Sequence, residues 1–279
     1  MKIFQRMMLS ACTGLALGAA AVAIPAVAAE PPAPDAALVA AVADPGRSAN
    51  FVARDKARHP AEELAVFGIT PRMTVVELWP GGGYWTEILG PYLSQGGGKY
   101  YVAVNAPGDA EEDKGVARWR TRMAAEKARL GTLHETMLGA GHFDIAPAGS
   151  ADLVVTFRNL HNWMDGGFAE QALAACFKAL KPGGILGIEE HRGRTDKPQD
   201  PKAKDGYVRQ DYTVQLAKQA GFVLVGSSEI NANPKDTKDW VDGVWTLPPT
   251  LSQGEKDRDR YLAVGEADNF VLKFQKPAH

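Results

Sequence analysis

Cysteine is nearly missing from this 279-residue chain, which contains only Cys12 and Cys176. Cys12 lies in a leader-like segment, and without it no internal disulfide can form. Stability must then rest on a packed core, for which the 45% hydrophobic share is ample. A surplus of one charge is also lacking. The formal net charge of −2 gives no global reason to bind nucleic acid or an anionic membrane surface, and neither partner is expected. Three short patterns are missing as well. Without G-x-x-x-x-G-K-[ST] there is no standard P-loop, and without G-x-S-x-G or H-E-x-x-H there is no ordinary α/β-hydrolase or zincin.

The start of the chain lacks acids altogether. Lys2 and Arg6 come first, no acid precedes Glu30, and an apolar run extends over residues 15–27. Ala26, Ala28 and Ala29 then supply small side chains, which completes the order of a secretory signal, with cleavage after Ala28 or Ala29. The competing reading is a membrane anchor, but the run is short for a span of ~20 residues and Pro25 breaks it. Leu9-Ser10-Ala11-Cys12 has lipobox spacing, yet the apolar region follows this cysteine where a lipoprotein would have it before. Residues 1–29 are therefore expected to be a signal peptide, and the mature chain to be exported, periplasmic in a Gram-negative cell, with no stable membrane insertion. Losing Lys2 and Arg6 would move the formal charge from −2 to −4.

What is present is an alternation of strands and helices. Residues 30–49 read as a Pro- and Ala-rich tether, and residues 50–279 as one domain. Helices are expected over 50–58 and over 60–67, the second opening on Pro60 and ending at Gly68. Short apolar strands are expected over 73–78, 100–104, 151–157, 185–189, 222–225 and 270–274. Between them lie helices over 84–93, 168–180 and 212–220, and one carrying Val116, Trp119, Met123 and Leu130 near a common face. The arginines opposite that face read as solvated, and Cys176 falls on the apolar stripe of its helix as a buried, inert thiol. Such alternation indicates an α/β fold with a mostly parallel sheet and helices on both faces. Segments 192–206 and 231–267 fit no element and read as lids, the second too rich in Trp240, Trp245, Leu247 and Leu251 for free coil.

The chemistry concentrates in the run Thr74-Val75-Val76-Glu77-Leu78-Trp79-Pro80-Gly81-Gly82-Gly83-Tyr84-Trp85-Thr86. A buried strand, an acid, three glycines and a helix follow one another. Glycines let backbone amides approach a ligand closely, and the helix turns its positive end toward the crevice beyond the strand ends. A dinucleotide site fits poorly, because Thr86 stands at the third glycine and Asn105, not an acid, closes the second strand.

The run resembles motif I of class I S-adenosylmethionine-dependent methyltransferases, in which an acid is followed by glycines two, four and six positions on. Glu77, Gly81 and Gly83 match, while Trp79 replaces the first glycine. Ser150 to Trp163 looks like the fourth strand and its loop, Leu180-Lys181-Pro182-Gly183-Gly184 like the turn into the fifth, and Gln219-Ala220-Gly221-Phe222 like the approach to the sixth. More narrowly, the chain resembles a bacterial group of signal-peptide-bearing predicted methyltransferases. The resemblance implies a Rossmann-like, mostly parallel seven-stranded sheet and S-adenosylmethionine as cofactor. It implies cofactor contacts from Glu77, Gly81, Gly82, Gly83, Asn105, Asp144, Arg158 and Asn159. Asn105 stands where an acid ordinarily accepts both ribose hydroxyls, and an amide has one acceptor oxygen for them.

Methyl transfer asks a protein to align an acceptor and, for many acceptors, to remove a proton. His161, after the fourth strand, is the candidate catalytic base, with packing beside Trp163 as its alternative role. Glu190 and His191 offer two metal-type ligands, but no spaced ligand set is evident and no metal is expected. Tyr84 and Trp85 read as ligand stackers or as core, and Arg54, Asp55 and Arg58 as a cap or a surface ion cluster. The expected activity is an exported methyltransferase for a small-molecule or envelope acceptor. The other reading is a non-catalytic binding module on the same fold.

Overall fold

The central strand owes its place to its composition. Thr74–Leu78 (β1) carries Val75 and Val76 side by side, both fully buried, because helices cover both faces of the sheet. The computed structural model describes residues 32–139 and 141–278, so the expected signal peptide lies outside the described residues. Beside β1 run Lys99–Asn105 (β2) on one side and Ala151–Phe157 (β4) on the other, both parallel to it. Leu133–Leu138 (β3) pairs with β2, Leu180–His191 (β5) with β4, and Asn269–Gln275 (β7) inserts antiparallel between β5 and Val223–Ser228 (β6). The order is β3-β2-β1-β4-β5-β7-β6, a mostly parallel seven-stranded sheet, as expected.

Among the described residues, four helices precede the sheet: Ala36–Val42 (α1), Ala49–Val52 (α2), Asp55–Arg58 (α3) and Pro60–Phe67 (α4). The stretch read as a tether therefore contains an ordered helix. Asp35 caps it by accepting the Leu38 amide at 2.7 Å and also takes the Tyr92 hydroxyl at 2.6 Å, while Leu38 is buried. Thr86–Gly96 (α5) follows β1 and Ala110–Ala125 (α6) follows β2, with a single turn, Lys127–Leu130 (α7), before β3. Beyond β4 come Leu160–Asp165 (α8) and Ala169–Ala179 (α9), and beyond β5 Gln210–Gln219 (α10).

Two elements differ from expectation. β3 escaped notice because Leu-His-Glu-Thr-Met-Leu mixes polarity on a half-exposed sheet edge. The helix bearing Trp119 begins at Ala110, where Asp109 accepts the amides of Glu111 and Glu112, and Leu130 belongs to the separate turn α7. Segment 231–267 is ordered, with a 3-10 turn at Gly243–Thr246 and a helix at Arg258–Val264 (α11). Tyr207, Val244, Leu247 and Tyr261 form a small core of its own against Trp240 and Trp245. Cys176 is buried and its thiol is pushed up to about 12 by burial, an inert group.

Candidate active site

Two regions meet at the C-terminal edge of the parallel strands. The first is the turn after β1. Trp79, Gly81 and Gly83 all have positive φ, at 49°, 54° and 90°. A side chain on Gly81 would meet no atom within 4 Å, whereas one on Gly83 would strike Arg122 and crowd Trp119. Gly81 and Gly82 are exposed and form one wall of a cleft of about 460 Å³. Val104 and Asn105 at the end of β2, and Glu112, Arg118 and Trp119 of α6, form the rest. The Arg122 guanidinium donates to the Gly82 carbonyl and ties α6 to the turn.

Asn105 does line this cleft, and its amide donates to the Glu112 carboxylate at 3.1 Å. An acid thus stands beside Asn105 within the first turn of the next helix. Asp109, an N-cap followed by Glu111, Glu112 and Asp113, was the available sequence signal for this helix start. Glu112 also borders a second cleft of about 270 Å³, between Ala106–Pro107, Leu138–Gly139 and Trp79. The Trp79 indole donates to the Leu138 carbonyl at 3.0 Å and packs on Trp163 and Phe168. It forms a wall of the second cleft and does not line the first.

Several expected contacts are corrected. Glu77 is 1% exposed and points beneath the turn, where it accepts the Thr86 hydroxyl at 2.8 Å and the Tyr100 hydroxyl. Burial raises its pKa to about 7, with those two hydrogen bonds pulling the other way. It braces the start of α5 and touches neither cleft. Asp144 is exposed, pairs with Lys178 at 2.7 Å and borders neither cleft. Asn159 spends its amide on the Leu78 carbonyl at 3.0 Å, clamping the exits of β4 and β1 together. Arg158, at φ 59°, turns away to Glu189 at 3.5 Å and Glu266 at 3.2 Å. Tyr84 and Trp85 are core: Trp85 stacks on Phe157 at 3.8 Å, and the Tyr84 hydroxyl donates to Asp55 at 2.7 Å.

The arginines of the N-terminal helices join a buried charge network. Arg54, Arg58 and Arg158 converge on Glu266, whose pKa falls to about 2 because the guanidinium groups outweigh its burial. Arg58 also lies 4.5 Å over the Tyr84 ring. Nearby, Asn231 donates to Glu63 at 2.7 Å and Glu189 at 3.1 Å. Burial and the neighbouring Glu189 raise Glu63 well above the usual carboxylate range. This network fastens segment 231–267 to the exits of β4 and β5.

The second region lies on the other side of that fastening. His161 opens α8, and Glu190 and His191 end β5; the pairing of β4 with β5 brings all three together. His161 Nδ1 lies 2.9 Å from Glu190 Oε1, and Glu190 further accepts the amides of His161 and His191. His191 Nδ1 lies 2.7 Å from Asn269 Oδ1. Trp245 covers His161 with ring centroids 5.9 Å apart, and Tyr207 covers His191 at 6.5 Å. One ligand atom from each of His161, Glu190 and His191 lies within 4.8 Å of the others. Sequence spacing could not show this, because His161 and Glu190 are 29 residues apart. His59, His134 and His142 stand elsewhere: His59 against Asn231, His134 stacked on Tyr101, His142 in a backbone bridge to Gly139.

Strand order, glycine turn and crevice together define the fold of class I S-adenosylmethionine-dependent methyltransferases. Solved structures bear this out. A SAM dependent methyltransferase from Aquifex aeolicus matches with a TM-score of 0.53 at 16% identity, over 80% of this chain and 93% of that one. The [4+2]-cyclase SpnF matches at 0.54 and 14% identity, over 87% and 92%. Phosphoethanolamine N-methyltransferase 2 from Haemonchus contortus, in complex with S-adenosyl-L-methionine, matches at 0.51 and 16% identity, over 77% of this chain and 52% of its own length. No family model matches the chain, and no curated protein matches it in sequence. Likeness at this level is likeness of fold, and one of the three is named as a cyclase.

Proposed function

We propose that the chain is an exported S-adenosylmethionine-dependent methyltransferase for a small-molecule or envelope acceptor. The observation that carries this reading is the exposed Gly81–Gly82 turn, open to a cleft of about 460 Å³ with an amide and a carboxylate at its far wall. That volume lies within the ordinary range for small-molecule sites, roughly 300–1,000 Å³. Gly81 and Gly82 allow close backbone approach at the positive end of α5, and Asn105 with Glu112 offers acceptors for vicinal hydroxyls. The second cleft, walled by Trp79 and Leu138–Gly139, offers an apolar slot for a flat heterocycle. S-adenosylmethionine, when bound, supplies a methyl group made electrophilic by its sulfonium.

The remaining work falls to this chain. His161, with Nδ1 held by Glu190, presents Nε2 to an acceptor beneath Trp245 and is suited to take its proton. Trp245 and Tyr207 restrict water there. Export is supported by the residue order Lys2, Arg6, the apolar run and Ala26-x-Ala28.

Calorimetric titration of the mature chain with S-adenosylmethionine and S-adenosylhomocysteine tests the reading. One binding site is expected, and silence at millimolar ligand would end it. The second reading, a binding module without turnover, is favoured by Trp79 at the first glycine position and by Asn105 in place of an acid. Methyl transfer to any acceptor, abolished by Gly81→Arg, would exclude it.

A further inference from the structure

We propose that His161, Glu190 and His191 form a site for one divalent first-row transition ion, zinc foremost, beneath the cap formed by segment 231–267. The residues come from two neighbouring strand exits, β4 and β5, and one ligand atom from each already lies within 4.8 Å of the others. Ligand atoms around a tetrahedral zinc at about 2.1 Å stand about 3.4 Å apart. A shift of about an ångström in side chains at strand ends closes the set around an ion.

Protonation and orientation support the same site. Asn269 Oδ1 can only accept, so the 2.7 Å contact places the His191 proton on Nδ1 and leaves a lone pair on Nε2. His161 Nδ1 stands 2.9 Å from Glu190 Oε1, close to the spacing of two ligand atoms on one ion. An imidazole whose other nitrogen donates to a carboxylate or carbonyl oxygen is how proteins orient a histidine for a metal. A plain His161–Glu190 ion pair would account for two of the three residues. It would leave His191 and its Asn269 support without a use.

The donor set decides which ion. Two imidazoles and one carboxylate suit zinc, iron, cobalt or nickel, whereas calcium and magnesium prefer oxygen alone. Three protein ligands leave at least one position open, the pattern of sites that take a substrate. Glu190 Oε2 accepts one backbone amide, from His161 at 3.1 Å, and keeps a further lone pair for an ion. The aromatic cover from Trp245 and Tyr207 marks that position as a place for an apolar or aromatic acceptor with a coordinating oxygen, nitrogen or sulfur atom. The use of the open position rests on the methyl-transfer reading, and His161 then serves as ligand in place of base. Binding of the ion does not depend on that reading.

The test is therefore made without any adenosyl ligand. Untagged mature chain is stripped with a chelator and titrated with zinc chloride in a calorimeter. One equivalent is expected to bind with micromolar or tighter affinity. His161→Ala and His191→Ala are each expected to weaken it about a hundredfold, and Asn269→Ala, which spares the ligands, about tenfold. His134→Ala, on the exposed sheet edge, is expected to leave the titration unchanged. Undiminished binding by a His191→Ala chain that melts within a few degrees of the parent would overturn the site. Should the variants fail to fold, anomalous diffraction at the zinc edge from parent crystals decides: a peak between the two imidazoles supports the site, and no peak there refutes it.

Discussion

The glycine-turn cleft and the buried histidine cluster sit on the same sheet edge but are built in opposite ways. The cleft is built on one short run of backbone, residues 80–82, closed by the end of β2 and the helix after it. Its groups are open to solvent and need little buried charge to stand in place. The cluster gathers side chains from α8, β5 and β7 under a cap, and a network of buried arginines and acids holds that cap down. The difference teaches that binding of an adenosyl group and handling of an acceptor are separable here, and substitutions should separate them.

The largest effect is expected in the network. Glu266→Ala leaves Arg54, Arg58 and Arg158 facing one another, and loss of one partner from a buried ion cluster costs about 3–5 kcal/mol. Denaturant unfolding should read that loss, while affinity for S-adenosylhomocysteine in the still-folded chain should change little. The pH dependence has a definite sign. Because Glu266 titrates near 2 when folded and near 4.5 otherwise, its stabilisation is full above 4.5 and fades as pH falls toward 2.

Glu77→Gln comes next and acts on the cleft from beneath. A folded pKa of about 7 against 4.5 unfolded means that burying Glu77 becomes progressively costlier as pH rises from 4.5 to 7, reaching about 3 kcal/mol above that window. Melting curves of parent and variant should diverge over that window, the parent losing stability relative to the variant, and run parallel above it. An unchanged difference across that window would mean that Glu77 is not buried as described.

Gly81→Arg should lower affinity for S-adenosylhomocysteine about a hundredfold, since its side chain enters the cleft. Its positive φ adds strain of about 1–2 kcal/mol, a few degrees of melting temperature at most. Zinc binding should be untouched. Glu112→Gln is the mildest: it keeps size and one acceptor, and should cost about tenfold in the same titration, or 1.4 kcal/mol. An equal loss of zinc binding in either variant would break the separation of the two regions.

What could be read from sequence follows the same division. β1 and β4 were legible because valines buried on both faces leave continuous apolar runs, and the glycine turn because it lies within five residues. β3 was not, being a half-exposed edge of mixed polarity. Gly81, Gly82 and Asn105 line the cleft and Gly83 does not, while Glu77, Asp144, Arg158 and Asn159 are expected there by motif position, which does not say where a side chain points. Glu77 turns under the strand, Asn159 clamps two strand exits, and Glu112 enters the cleft from the first turn of a helix read only from its apolar face. The pairing of His161 with Glu190 and His191 depends on strand order, which no local pattern carries.

The most direct measurement is a crystal structure of the mature chain soaked with S-adenosylhomocysteine. Ligand density is expected over Gly81 and Gly82, with ribose oxygens within hydrogen-bond reach of Asn105 and Glu112 and the base beside Trp79. Density elsewhere, or none at saturating ligand, would contradict the assignment of that cleft.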